Sequence, residues 1–150
     1  MNKPFNKKLY DDTAWVVDTI IDKIKLEGFT CVKNSYFYDI DILIMKEKRV
    51  IGKIEGELHG KYWDTEFIFP SVHFLGRKTK YIGEKSYYLM VNKDGSQCVM
   101  MPFQKLGNYK LVTIDNVACK NELMYDVPKA DCIWGWDNIN KYIFSDLMSD

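Results

Sequence analysis

Four carboxylates in two consecutive segments of this chain could act together in chemistry. Asp39 and Asp41 are separated by one residue, and Glu55 and Glu57 are separated by one residue further along. Side chains two residues apart in a strand share one face. A polar turn at Lys46–Arg49 would make the two strands neighbours, about 4.8 Å apart. We therefore expect three or four carboxylates to meet in one small volume.

A carboxylate cluster of this kind is costly, because like charges on neighbouring strands repel each other. A hard divalent cation removes that repulsion. Mg²⁺ binds carboxylate oxygens, keeps several waters and accepts phosphate oxygens, and its bound water can attack a phosphodiester. We expect Mg²⁺, with Mn²⁺ as an alternative ion, at Asp39, Asp41, Glu55 and Glu57. The other interpretation is that Asp39, Glu55 and Glu57 are solvated on an outer sheet face.

The order of these residues resembles the motif of the PD-(D/E)XK nuclease superfamily. Asp41 stands before the apolar run Ile42–Met45, and Glu55-Gly56-Glu57 follows after 13 intervening residues. A predicted helix precedes the motif and a basic segment follows it, so the resemblance covers roughly residues 12–101. It implies a restriction-endonuclease-like fold and a metal-dependent DNA endonuclease. Asp41 and Glu55 would then bind the metal, and Glu57 would be a ligand or a base that orients the water.

The usual lysine of the superfamily is replaced by Glu57 here, a variant that some of its restriction enzymes carry. Lys53, on the same face of its strand, or Lys78, from a different part of the backbone, could take the place of that lysine. Downstream, Arg77, Lys78 and Lys80 would contact phosphates, since phosphate contacts position a duplex. The same three residues are equally compatible with an ordinary solvated turn.

Hydrophobic periodicity predicts the elements that would position these residues. The expected helices are Asp12–Glu27, a short one within Val72–Ile82, and Asp137–Met148, and the expected strands lie within Phe29–Met45, Val50–Leu58, Ser86–Val91, Ser96–Met101 and Leu111–Ile114. This order predicts an α/β (α+β) domain with a mixed central sheet flanked by helices. We expect one domain over residues 1–150, with its core at about 12–114 and a C-terminal segment, 115–150, of net charge −4.

Composition limits the classes of partner and the cellular location that we expect for this chain. The chain has 21 basic and 21 acidic residues, and this zero net charge gives no support for a polyanion partner. No apolar run approaches the ~18 residues of a membrane span, and the first residues hold no apolar signal segment. We therefore expect no membrane association and a cytoplasmic, intracellular location. The four cysteines lack the spacing of a zinc site.

Two other classes of function stay open. One is a nuclease fold that has lost catalysis and binds nucleic acid or protein, which the missing lysine and the zero net charge favour. The other is an aromatic sheet surface for single-stranded RNA, formed by Tyr81, Tyr87 and Tyr88. As an endonuclease, so short a chain would need a homodimer or a partner subunit to cut both strands of DNA. Restriction, homing, repair and phage roles are all compatible with the sequence.

Overall fold

The computed structural model describes residues 7–35, 40–59, 63–81, 83–114 and 121–149. Within these ranges the helices are α1 (Lys7–Lys23), α2 (Phe103–Leu106) and α3 (Trp136–Met148). The strands are β1 (Thr30–Lys33), β2 (Ile42–Lys46), β3 (Arg49–Leu58), β4 (Ser71–Leu75), β5 (Ser86–Val91), β6 (Cys98–Pro102), β7 (Lys110–Ile114), β8 (Glu122–Pro128) and β9 (Ile133–Trp134). Two 3-10 helices, Gly76–Tyr81 and Lys129–Asp131, complete the described elements.

A six-stranded mixed sheet in the order β1-β2-β3-β5-β6-β9 forms the centre of the fold. Strands β1, β2 and β3 are antiparallel neighbours, β3 is parallel to β5, and β5, β6 and β9 are again antiparallel. The turn between β2 and β3 has positive φ at Glu47 (50°) and Lys48 (68°), as the central residues of a tight hairpin turn require. The predicted mixed central sheet is confirmed, as are the hairpins that the polar turn Lys46–Arg49 and the Asp94-Gly95 turn between β5 and β6 predict.

One face of this sheet is covered by helices. Val16 and Ile20 of α1 and Ile24 just after it are buried together with Ile139 and Ile143 of α3. They pack on the alternate strand residues that point to that face, including Ile42, Ile44, Ile54, Tyr87 and Leu89. This first core cluster follows from the helical and strand periodicities in the sequence, and it confirms that helices flank the sheet.

The other face is covered by a second, three-stranded sheet in the order β4-β8-β7. Its inward residues Val72, Phe74, Tyr125 and Val127 pack against Tyr88, Met90, Val99 and Met101 of the large sheet. The sequence did not predict this sheet. The short helix expected within Val72–Ile82 is the 3-10 helix Gly76–Tyr81, and the residues just before it form strand β4 instead. The strand forms because β4 pairs with β8, about fifty residues away in the chain.

The expected bounds of the first helix, Asp12–Glu27, are also wrong. Helix α1 begins at Lys7 and ends at Lys23. Beyond its end, Asn140 of α3 accepts a hydrogen bond from the Lys25 N–H (2.8 Å) and donates one to the Lys23 carbonyl (3.0 Å). A side chain from another helix therefore binds backbone groups that a longer helix would have used itself.

The C-terminal segment, 115–150, was set apart by its charge, and its described part is built into the fold. Strand β8 is the central strand of the second sheet, and α3 contributes to the first core cluster. Among the described residues, no helix combines the length and the apolar character that a membrane crossing would require.

A candidate active site on strands β2 and β3

Asp41 is held at the point where strand β2 begins. Its carbonyl accepts a hydrogen bond from the Asn34 N–H (2.8 Å), and the Asn34 side chain donates to the Ile40 carbonyl (2.9 Å). Because Ile42 pairs with Ile54, the antiparallel register sets Asp41 opposite Glu55. Asp41 lies one residue before β2 and Glu55 lies within β3, so the two acids are neighbours at this end of the strand pair.

Gly56 brings Asp41 and helix α1 together. Gly56 lies two residues beyond Ile54, the last β3 residue that pairs with β2. Its N–H donates a hydrogen bond to Asp41 Oδ2 (2.9 Å). If the strand pairing continued, a backbone carbonyl of the neighbouring strand would accept this bond instead. A Cβ on Gly56 would lie 2.5 Å from Ile20 Cδ1 of α1. A side chain here would collide with the helix, so the glycine of the Glu55-Gly56-Glu57 motif lets α1 pack directly on the strand that carries the acids.

Glu55 is almost completely buried, and its partner is Lys78. The Glu55 side chain is 3% exposed and the Lys78 side chain 18%, and Lys78 Nζ donates a hydrogen bond to Glu55 Oε2. Lys78 lies on the 3-10 helix Gly76–Tyr81, which follows strand β4 of the second sheet. The site therefore combines side chains from both sheets. Of the two lysines that could stand in for the missing motif lysine, Lys78 is the one in contact with Glu55.

Burial and crowding shift the pKa values of these groups. Burial raises the pKa of the Glu55 carboxyl to about 8, although the Lys78 ammonium lowers it, and the Asp41 carboxylate adds a smaller upward shift. Burial likewise raises the pKa of the Asp41 carboxyl against the opposing effects of the Gly56 N–H and Lys78. For Lys78, burial lowers the pKa, but the carboxylates of Glu55, Glu57 and Asp41 outweigh it and raise the pKa above its ordinary value.

Glu57 is fixed by a tyrosine that the sequence analysis assigned to a different role. The hydroxyl of Tyr88 on β5 donates to Glu57 Oε2 (2.5 Å) and accepts from the Leu75 N–H (3.3 Å). Tyr88 has no exposed surface, and its ring packs edge-on against Phe74 at 4.9 Å between centroids. A fully buried hydroxyl between two partners leaves Glu57 little freedom of position.

The predicted carboxylate cluster is brought together only in part. Among the described residues, no group of three or more His, Cys, Asp or Glu side chains has the arrangement of a metal site, and Asp39 lies outside the described residues. Glu55 Oε1, however, is buried without a hydrogen-bond partner within the described ranges. A buried carboxylate oxygen without a partner is costly and is a suitable ligand for a cation. Mg²⁺ needs only one or two carboxylates beside waters and phosphates, so Asp41 and Glu55 fit it.

The remaining predicted residues lie around this centre. Lys53 is exposed on β3, two residues before Glu55, and Lys80 is exposed at the end of the 3-10 helix. Arg77 is instead in an ion pair: its Nε donates to Glu122 Oε1 (3.2 Å), with the two side chains 18% and 7% exposed. This pair neutralises the charge of Arg77 and leaves the Nη groups of the guanidinium as its donors for a phosphate contact.

The aromatic RNA-binding surface considered from the sequence is wrong. Tyr87 and Tyr88 are both fully buried, and they belong to the two core clusters on opposite faces of the large sheet. Base stacking needs an exposed ring face. Strand alternation could have predicted that two adjacent tyrosines point to opposite faces, and a Tyr next to the acidic strand could have been considered as a partner of Glu57.

Comparison with known proteins gives little further information. No protein-family profile matches the sequence, and no curated protein matches it. Among solved structures, the fold is similar to that of Archaeoglobus fulgidus Hjc, a Holliday junction resolvase from an archaeal hyperthermophile. The two chains are 11% identical, the match covers 83% of each chain, and the TM-score is 0.38. A likeness at this level assigns no activity and no residue role.

Proposed function

We propose that this chain is a metal-dependent DNA endonuclease with a restriction-endonuclease-like fold and a Glu-x-Glu variant of the motif. One observation carries the proposal: the buried Glu55 carboxylate pairs with Lys78 beside Asp41, and Glu55 Oε1 has no hydrogen-bond partner among the described residues. Buried acids with perturbed pKa values are common at catalytic sites, where burial and neighbouring charges adjust them to the reaction.

The charges of the site suit a divalent cation. Asp41, Glu55 and Glu57 carry three negative charges when ionised and Lys78 carries one positive charge, which leaves a net charge of −2. Asp41 and Glu55 would hold Mg²⁺ or Mn²⁺, with Glu57 as a further ligand or as the base that orients water. The ion would supply a bound water of lowered pKa and would neutralise charge on the phosphate.

The protein groups around the acids have separate roles in this proposal. The Lys78 ammonium lies against Glu55, where it would stabilise the extra negative charge that develops on a phosphodiester under attack. Tyr88 would keep Glu57 in one orientation through its hydroxyl. Lys80 would contact a phosphate beside the scissile bond, whereas the charge of Arg77 is paired with Glu122. To cut both strands, the protein would act as a homodimer or with a partner subunit.

A cleavage assay tests the proposal. We expect supercoiled plasmid and linear duplex DNA to be cut in Mg²⁺ or Mn²⁺, and EDTA to abolish the cutting. Glu55→Gln should slow cleavage by about 100-fold or more, since a metal ligand contributes several kcal/mol to the transition state. DNA binding should be retained, because the substitution removes a negative charge that repels phosphates.

The matched control is Glu66→Gln, which makes the same change at an exposed position and should leave the rate unchanged. Cutting that persists in Glu55→Gln would overturn the assignment of the site. A parallel assay with RNA decides between the two nucleic acids.

The second candidate is a catalytically inactive module of the same fold that binds nucleic acid or protein. Two observations favour it: Lys78 already neutralises Glu55, and the described residues hold no three-ligand metal cluster. This candidate predicts that purified wild type cuts no DNA or RNA in either metal, and that it binds its partner equally well in EDTA.

A further inference from the structure

A polar groove adjoins the acidic site on the side of Lys53. It has a volume of about 290 Å³, and its lining combines charged, polar and apolar residues: Ile40, Val50, Ile51, Gly52, Lys53, Lys80, Tyr81, Gly83, Glu84 and Ser86. Ile40 directly precedes Asp41, and Lys53 lies two residues before Glu55, a distance along β3 of roughly 6.6 Å. The groove therefore adjoins the chain positions that carry Asp41 and the buried Glu55.

The two lysines of the groove are not engaged by acids. Neither Lys53 nor Lys80 makes an ion pair with any residue in the described ranges, whereas Arg77 and Lys78 of the same basic segment are paired with Glu122 and Glu55. The Lys80 ammonium lies 5.1 Å from the centroid of the Tyr81 ring, a favourable cation–π distance. With Glu84 included, the groove has a net charge of +1, which suits an anion.

The remaining lining suits a nucleoside. Tyr81 is half-buried, and its ring lies 5.1 Å from Lys80 Nζ and 5.9 Å from Lys78 Nζ. A base stacks on this ring, as on aromatic rings generally, when the Lys80 ammonium turns from the ring to the phosphate. Ser86 and the backbone groups at the end of the sheet where β3 and β5 begin to pair provide polar contacts. A groove of about 290 Å³ is at the small end of the range for ligand sites. That size accommodates a single nucleotide.

We propose that this groove binds the nucleotide next to the scissile bond, with Lys53 and Lys80 on its phosphate and Tyr81 against its base. The inference rests on the proposed function, because it makes the groove a part of the same DNA-binding surface. It changes the role of Lys53 from a substitute for the motif lysine to a phosphate ligand. It also removes Arg77 and Lys78 from the set of phosphate ligands outside the reacting centre.

Binding of thymidine 5′-monophosphate to the full chain in EDTA tests the proposal without any catalysis. We expect amide chemical-shift changes in an NMR titration to concentrate at Lys53, Tyr81 and Ser86. Lys53→Ala and Lys80→Ala should each weaken binding about tenfold, the usual effect of losing a charged hydrogen bond. Lys141→Ala on the exposed side of α3 is the matched control and should bind as the wild type does.

Two competitors define what the groove recognises. Inorganic phosphate should bind at least about tenfold more weakly than the nucleotide, because it makes no aromatic contact. A five-residue oligothymidylate should displace the nucleotide, because the groove is proposed to bind one nucleotide of a DNA strand. Equal affinity for phosphate and nucleotide, shift changes spread over unrelated lysines, or failure of the oligonucleotide to compete would each overturn the proposal.

These outcomes are separate from those of the cleavage assay. Metal-dependent cutting without nucleotide binding in the groove would refute this inference and leave the proposed function intact. Nucleotide binding that depends on Lys53 and Lys80, in a protein that cuts nothing, would support the groove and refute the endonuclease.

Discussion

At the scale of single residues, the ion pair between Glu55 and Lys78 dominates the candidate site. A buried pair contributes little net stability, but removal of one partner leaves an uncompensated charge inside the protein. We expect Lys78→Ala to lower the free energy of unfolding by about 3–5 kcal/mol at pH 9, above the pKa of about 8 to which burial raises the Glu55 carboxyl, measured by urea denaturation. The loss should be smaller at pH 5, because Glu55 then holds its proton in the wild type and in the variant, and no charge is left unpaired.

The control for this prediction is an exposed ion pair. Lys33 binds Asp18 at 3.0 Å with side chains 49% and 65% exposed, and such pairs contribute about 0–1 kcal/mol. Lys33→Ala should therefore have a small effect at both pH values. An equally small effect of Lys78→Ala would show that Glu55 and Lys78 do not depend on each other.

The raised pKa of Glu55 also predicts how stability changes with pH. In the folded protein the carboxyl keeps its proton up to about pH 8, whereas in the unfolded chain it loses the proton near pH 4.3. The folded state therefore binds more protons between these values, and stability falls as pH rises through this window, by at most about 1.4 kcal/mol per pH unit. Denaturation between pH 5 and 8 should show a shallower slope in Glu55→Gln, whereas Glu66→Gln should keep the wild-type slope.

At the scale of elements, strand β5 presents two adjacent tyrosines to opposite faces of the sheet. Tyr88 donates to Glu57 at the candidate site, and Tyr87 donates to Asp146 of α3 (2.5 Å) on the other face. Each hydroxyl donates one hydrogen bond to a carboxylate. Each Tyr→Phe change should therefore lower the free energy of unfolding by a similar ~1–2 kcal/mol. Their effects on cleavage should differ, because Tyr88 alone positions a carboxylate of the site.

We expect Tyr88→Phe to lower kcat for DNA cleavage by about tenfold with little change in KM, whereas Tyr87→Phe leaves kcat unchanged. Steady-state kinetics on one duplex substrate measure both constants. A fall in kcat of the same size in both variants would mean that loss of stability, and not the orientation of Glu57, slows the reaction.

At the scale of the whole molecule, the zero net charge means that DNA binding depends on a few local lysines. Each phosphate contact contributes about −0.9 to the slope of log K against log salt concentration. We expect Lys80→Ala to make this slope shallower by about 0.9. Arg77→Ala should leave the slope unchanged and lower stability, because Arg77 binds Glu122 across the junction of the 3-10 helix and β8.

Filter binding or fluorescence anisotropy over a range of salt concentrations measures both slopes. A shallower slope for Arg77→Ala would support the assignment made from the sequence, in which Arg77 contacts phosphate. An unchanged slope for Lys80→Ala would remove that lysine from the DNA-binding surface.

The sequence by itself predicted the parts of the fold that depend on neighbours in the chain. Alternating apolar residues predicted β3 and β5, the polar turn and the Asp94-Gly95 turn predicted two hairpins, and both flanking helices followed from helical spacing. It also predicted that Asp41 and Glu55 would lie on neighbouring strands of the β2–β3 hairpin. Their exact pairing depends on a one-residue register shift between Ile44 and Met45, which sets Asp41 opposite Glu55 instead of Ile54.

Tertiary structure alone decided the surroundings of those acids. Lys78 reaches Glu55 from 23 residues away, Tyr88 reaches Glu57 from 31, and Asn140 ends α1 from 117 residues beyond Lys23. The second sheet, which carries Lys78 to the site, forms because β4 pairs with β8 in the segment that charge alone had set apart. Periodicity reports which face of an element is buried, but it does not report which distant element covers that face. The packing of the second sheet and β5 therefore sets the partners of Glu55 and Glu57. A buried polar group needs a hydrogen-bond partner, and the element that covers it supplies the donor.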